Sequence, residues 1–223
     1  MEKRLFFLII ILFATLSVKL QAQNIRLYAK PGYNNVYRDS YFEKGIEGSP
    51  YMDDWQSADI FFKNGKSVSG LKFRYNVYSN QMLYQDNNQT YIIGTPDSIS
   101  EVRFFNKTFM YKEYKKNDKT DKCLFEVLFN GKVSLLNKYD VELIPATYNV
   151  AFATGNKNDR FSIKKQLYFQ KEKLIVPVGK KSKLIELLSD KKDEISDFIN
   201  SKKLSVKNEK DLILILVYYD QLK

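Results

Sequence analysis

Histidine is absent from this 223-residue chain. With it go the usual general base, the common zinc ligand set and every Ser-His-Asp or Cys-His arrangement. A single cysteine, Cys123, excludes an intramolecular disulfide, so packing must stabilise the fold. Glycine and proline number only nine and five, and no glycine-rich phosphate cradle, dinucleotide fingerprint or paired-cysteine site occurs. After the N-terminus, no apolar run approaches the roughly 20 residues of a membrane-spanning helix. The longest, Leu212 to Tyr219, has eight residues and belongs to a core or an interface. No catalytic residue, metal ligand set or cofactor is assigned on these grounds.

What is present begins with Lys3 and Arg4, the apolar run Leu5 to Leu16, and then Ser17 to Ala22. A basic start, a short apolar helix and a small residue at the end form a secretory signal peptide, with cleavage expected after Ala22. Lys19 interrupts the run too early for an uncleaved anchor, and lipid attachment would need a cysteine that this region lacks. The protein is therefore expected to be exported, periplasmic or envelope-associated, with no transmembrane segment in its mature form. Losing Lys3, Arg4, Lys19 and Glu2 lowers the formal charge from +10 to +8. The excess concentrates in residues 162–223. That suits an anionic envelope component, or another envelope protein, as partner. Because Lys interleaves with Glu and Asp throughout, an ordinary solvated surface accounts for most of it, and nucleic acid is not expected as a partner.

Residues 23–57 read as an irregular lead-in, residues 58–178 as an antiparallel β domain and residues 179–223 as a helical segment packed on its sheet. Asn64-Gly65 between two alternating runs predicts a hairpin with a two-residue type I′ turn. After it, Leu71, Phe73, Tyr75 and Val77 share one face and Lys72, Arg74, Asn76 and Tyr78 the other, with Gly70 marking a bulge. Further hairpins are expected at 81–93 and 101–114. A polar loop at 115–121 precedes the Cys123 strand, in which Cys123, Phe125, Val127 and Phe129 fall on one face. Asn130-Gly131 turns that strand back into Lys132 to Asn137. Later strands are expected near 141–144, 148–152, 161–168 and 174–178, limited by Pro145 and Pro177. Beyond Gly179 the apolar period becomes helical, and Asn208 is positioned as the N-cap of a last helix with Asp211 at its third residue. The eight apolar residues that follow fit a buried strand as well, but the cap and flanking charges favour helix. The fold class is thus α+β, mostly β: a curved or sandwich-like antiparallel meander with C-terminal helices.

Few residues suggest chemistry. Asp53 and Asp54 lie beside Tyr51 and Trp55, the pattern of a carboxylate pair with rings on which a sugar could stack, although adjacent Asp residues more commonly form turns. Tyr51, Trp55 and Tyr78 are the candidate ligand-binding residues. Tyr75, Tyr84, Tyr91, Tyr111 and Tyr114 could make an aromatic platform, but cross-strand packing explains them as well. Residues 86–90 and 156–159 alternate oxygens as calcium loops do, yet lack the required glycine and glutamate. Cys123 reads as a buried structural thiol.

Gly48-Ser-Pro-Tyr51, Lys63-Asn-Gly-Lys66, the strand Leu71 to Tyr78, the run Phe125 to Lys132 and the terminal Asp211 to Tyr219 together resemble a group of small exported bacterial proteins of unknown function. The resemblance implies an envelope or secreted location and a β-rich body with a Lys-rich helical end. It carries no catalytic residues. The functional expectation is an exported, non-enzymatic binding or structural module of the cell envelope. The alternatives are a carrier holding an apolar, lipid-like ligand in a curved sheet and a carboxylate-dependent hydrolase of envelope glycans. N-terminal sequencing of the exported protein should begin at Gln23; an intact Met1 would contradict the export reading.

Overall fold

A computed structural model describes residues 45–86, 89–93, 98–104, 106–116 and 119–222. The expected signal peptide at 1–22 and most of the expected lead-in fall outside these residues, as does the centre of the 86–90 turn. Ten strands form one antiparallel sheet: β1 (Gln56–Phe62), β2 (Ser67–Asn76), β3 (Gln81–Asp86), β4 (Gln89–Ile92), β5 (Ile99–Phe104), β6 (Lys107–Lys116), β7 (Lys119–Phe129), β8 (Ser134–Ile144), β9 (Arg160–Lys171) and β10 (Leu174–Pro177). Three helices follow: α1 (Lys181–Leu187), α2 (Lys192–Ser201) and α3 (Glu209–Gln221). The strand order is β10-β9-β8-β7-β6-β5-β1-β2-β3-β4. Two meanders are therefore joined at β1, which pairs with β2 on one side and β5 on the other.

The sheet is rolled, in two opposite senses. Asn80, in the β2–β3 turn, donates through Nδ2 to the Lys122 carbonyl of β7 at 2.7 Å and accepts the Tyr75 hydroxyl at 2.7 Å. Four strand spacings separate β2 from β7, about 19 Å in a flat sheet, so β1 to β7 must curl over one face. At the other end β10 comes close to β6, again four spacings away. Alternation along the strands shows that the faces differ. Leu124 and Tyr139 enter the first core, with Ile60, Phe73, Ile99 and Phe109, while Cys123, Phe125 and Leu136 enter the second, with Tyr114, Tyr168 and Ile175. Strands β6, β7 and β8 are thus a wall buried on both sides. In the second core the rings of Tyr114, Phe125 and Tyr168 meet edge-to-face at 5.3, 5.8 and 5.4 Å, the arrangement their quadrupoles favour.

A third core lies where the helices cover β8 and β9. Leu135 and Phe169 pack there with Leu184, Leu188, Ile195, Ile199, Leu212, Ile215, Leu216 and Tyr219. The Asn208 side chain caps α3 by accepting from Asp211 N at 3.1 Å, so the terminal apolar run is a helix. Its second stripe is only partly covered: Leu214 is exposed, and Ile213 and Val217 are half-buried.

Several expectations change. The first hairpin has a three-residue loop: Gly65 N donates to Phe62 O at 3.0 Å and Phe62 N to Lys66 O at 2.8 Å. Only Gly65 is left-handed, at φ 81°, while Asn64 Oδ1 accepts from Lys66 N; this is a type I turn with a bulge, not type I′. Gly131 does not have positive φ. A Cβ there would sit 2.0 Å from Asp220 Oδ2 of α3, so a side chain at 131 would have to displace the Asp220 carboxylate; turn geometry does not call for the glycine. Gly70 does mark a bulge, with Ser69 and Gly70 opposite Asp59. A second bulge between Val127 and Phe129 sends Phe129 to the helix side, off the Cys123 face. The polar loop at 115–121 shrinks because β6 and β7 keep pairing to Lys116 and Lys119, and β8 runs unbroken through Asn137, Lys138 and Asp140. Residues 148–152 are not a strand but part of an exposed connection, and β1 begins at Gln56, two residues before the expected boundary. Tyr75, Tyr84 and Tyr114 are buried, in keeping with cross-strand packing rather than a wet-face platform.

Truncating Phe125, which is fully buried at the centre of the ring trio, should cost about 3–5 kcal/mol in denaturant unfolding. Tyr78→Ala, at a half-exposed position, should cost under about 1 kcal/mol.

Candidate functional site

The segment before β1 is held by the end of β2. Met52 N donates to Tyr75 O at 3.1 Å and Val77 N to Pro50 O at 2.9 Å, which fixes Tyr51, Asp53, Asp54 and Trp55 beside Arg74. The Arg74 guanidinium stacks 3.7 Å from the Tyr51 ring centre and lies 5.9 Å from that of Trp55. Its Nε donates to Asp53 O at 3.3 Å, and its Nη2 is 3.7 Å from Asp54 Oδ1. Asp53 Oδ2 is 3.2 Å from Lys107 Nζ at the start of β6.

Tyr51 and Trp55 therefore come together around a cation. Tyr51 is only 3% exposed, and its ring is occupied by Arg74, so it offers no free face to a sugar. Tyr78 is not part of this group; its ring meets Phe161 edge-on at 5.3 Å. Glycoside hydrolysis needs one carboxyl kept protonated by apolar surroundings, whereas Asp54 has a side chain 89% exposed and each Asp faces a cation. The geometry is that of an ion-paired turn anchoring the entry to the sheet.

Comparison with protein-family models, curated proteins and solved structures found no match to this chain.

The sequence reading missed a second polar group. On β7 and β8, Glu126 Oε2 accepts from the Tyr139 hydroxyl at 2.6 Å and from Asn137 Nδ2 at 3.1 Å. All three are buried, between the first core and the helix-covered core. Asn137 Oδ1 has no hydrogen-bond partner among the described residues. Burial, the Glu126 hydrogen bond and the nearby Glu126 and Asp53 carboxylates push the Tyr139 hydroxyl well above its ordinary pKa, so it stays a donor at neutral pH. Only the spacing of Glu126, Asn137 and Tyr139 within apolar strands hinted at this group, and such spacing does not reveal which strands pair. A third set ties the helices to the sheet: the Tyr219 hydroxyl donates to Asp190 at 2.9 Å, and Lys171 Nζ is 3.3 Å from the same carboxylate. The Tyr219 bond holds the Asp190 carboxyl below its usual range.

On the opposite face of the wall, Lys138 is buried. It pairs with Asp140 and lies 5.6 Å over the Tyr114 ring, two contacts that offset the loss of hydration. Beside it, burial pushes the Cys123 thiol up to about 12, against the pull of Lys138. Cys123 is thus a packing residue, as its alternation with Phe125 indicates. Among the described residues no cluster of three metal-ligating side chains occurs.

Native protein should resist thiol labelling at pH 8 and react only on unfolding. The unfolded thiol ionises near pH 8.5 and the folded one only near 12. The thiol's contribution to stability is therefore complete below about pH 8.5 and lost as pH rises toward 12. Rapid native labelling at pH 8 would contradict this assignment.

Proposed function

We propose that this chain is an exported binding or structural module of the cell envelope that carries out no reaction of its own. The observation that carries this reading is the use of its reactive-looking side chains: Asp53, Glu126, Asp190 and Cys123 are held in pairs or packing, and Asp54 lies exposed at the surface 3.7 Å from Arg74 Nη2. The N-terminal basic, apolar and small-residue sequence supports export, and the basic mature chain suits an anionic envelope component or an envelope protein as partner. The likeness to small exported proteins points the same way. The carrier alternative is weaker, because each rolled part of the sheet closes on packed aromatic and aliphatic side chains, while a lipid chain needs open volume. The hydrolase alternative lacks a sheltered carboxyl acid at 53–54.

Tagged protein recovered from fractionated cells should be found in the envelope or periplasm, and mass spectrometry after pull-down should identify an envelope component without stoichiometric internal lipid. One lipid per protein surviving gel filtration would replace this reading with the carrier. Glycan cleavage abolished by Asp53→Asn or Asp54→Asn would replace it with the hydrolase.

A further inference from the structure

The connection from β8 to β9 is an ordered arm with an apolar end. Pro145 stops β8, and the two sides of the arm then hold each other. Thr147 N donates to Asn156 O at 2.9 Å, and Asn149 and Thr154 exchange backbone bonds at 2.8 and 3.3 Å. At the tip Asn149 Oδ1 accepts from Ala151 N at 3.0 Å and Phe152 N at 3.3 Å. Gly155 is left-handed, and a Cβ there would meet the Thr147 carbonyl at 2.4 Å. The backbone is therefore fixed, yet Val150 and Phe152 are 83% and 75% exposed. Tyr148 lies behind them, with Lys157 Nζ 5.1 Å over its ring. No carboxylate occurs from Leu143 to Asn158, and the Asp159 carboxylate is turned inward to Ala146 N at 2.7 Å.

Holding two large apolar side chains in water on a rigid support is unfavourable unless something covers them. We infer that this arm is a membrane-surface anchor, with Val150 and Phe152 entering the interfacial zone of an anionic bilayer and Tyr148 and Lys157 resting among its headgroups. Three features favour lipid over a protein partner. The tip is convex and layered, apolar at the end with an aromatic hydroxyl and an ammonium behind it, which matches the polarity gradient of a bilayer interface. Amides of Asn149, Ala151, Phe152 and Thr154 are bonded inside the arm, which lowers the cost of bringing the tip to a region poor in hydrogen-bond partners. Residues 145–158 carry Lys157 and no carboxylate, the nearest being Asp159 and Glu47 at the base of the arm, so the charge at the tip complements anionic headgroups. Two apolar side chains and one lysine make a weak, reversible contact. The inference is independent of the envelope reading, since it concerns the surface the arm meets in whichever compartment.

The test is local to the arm. Phe152→Trp in the full chain, combined with Trp55→Phe so that it is the single indole, places an indole at the tip, and its emission is followed on adding vesicles of phosphatidylethanolamine with phosphatidylglycerol. The expected result is a blue shift, with quenching by lipids brominated in the upper acyl chain, and weaker binding to neutral phosphatidylcholine vesicles. Adding Val150→Asp should reduce partitioning at least tenfold while circular dichroism is unchanged, and Lys157→Glu should weaken binding to anionic but not neutral vesicles. Lipid binding by the apolar run Leu5 to Leu16 would not itself bury this indole. An indole that stays water-exposed at millimolar lipid overturns the inference. So does a blue shift that appears only with lipid-free envelope proteins, which would make the tip a protein-docking element.

Discussion

Everything else in this fold depends on the three-strand wall of β6, β7 and β8 being apolar on both faces. A half-buried strand alternates between core and water, but here successive residues such as Cys123, Leu124 and Phe125 are all buried. One face needs the N-terminal strands rolled over it, the other needs β9 and β10 rolled back, and the remaining stretch of the first face needs the helices. The wall thus lets a single sheet enclose more than one core without a second sheet.

Polar residues in that wall are correspondingly constrained. Lys138 is held by Asp140 and the Tyr114 ring on one face, and Glu126 by Tyr139 and Asn137 on the other. Both sets cost desolvation and make direct bonds in return. Glu126, Asn137 and Tyr139 also separate the core under the rolled strands from the core under the helices. The helices are secured at their far end as well, where Asp220 Oδ1 accepts from Lys132 N at 3.0 Å in the β7–β8 loop. A side chain at Gly131 beside it would push the Asp220 carboxylate aside.

Much of the fold was legible in the sequence. The hairpins at 56–76, 81–92 and 99–116, the Gly70 bulge and the Asn208-capped helix each rest on local chemistry, a turn, an alternation or a cap. The errors have a common cause. Asn137, Lys138 and Asp140 hid the middle of β8, and Lys115 to Asp121 hid the paired ends of β6 and β7, because backbone ladders are indifferent to side-chain polarity. Tyr148 to Phe152 resembled a strand by composition but has no strand to pair with beyond its own short arm. Of the candidate residues, Tyr51 and Trp55 do come together, but around Arg74, and only folding shows that the rings are already occupied.

By itself the sequence determined the β-rich class, the helical end, the absence of histidine and disulfide chemistry and the positions of most turns, since each follows from residues near one another in the chain. Tertiary structure alone decided which face of each wall strand meets which core, where β5 pairs, how closely Asp220 approaches Gly131 and which carboxylates sit in ion pairs. Those outcomes depend on contacts between residues such as Gly131 and Asp220, far apart in the chain, whose encounter is set by how the sheet rolls and which no local pattern encodes.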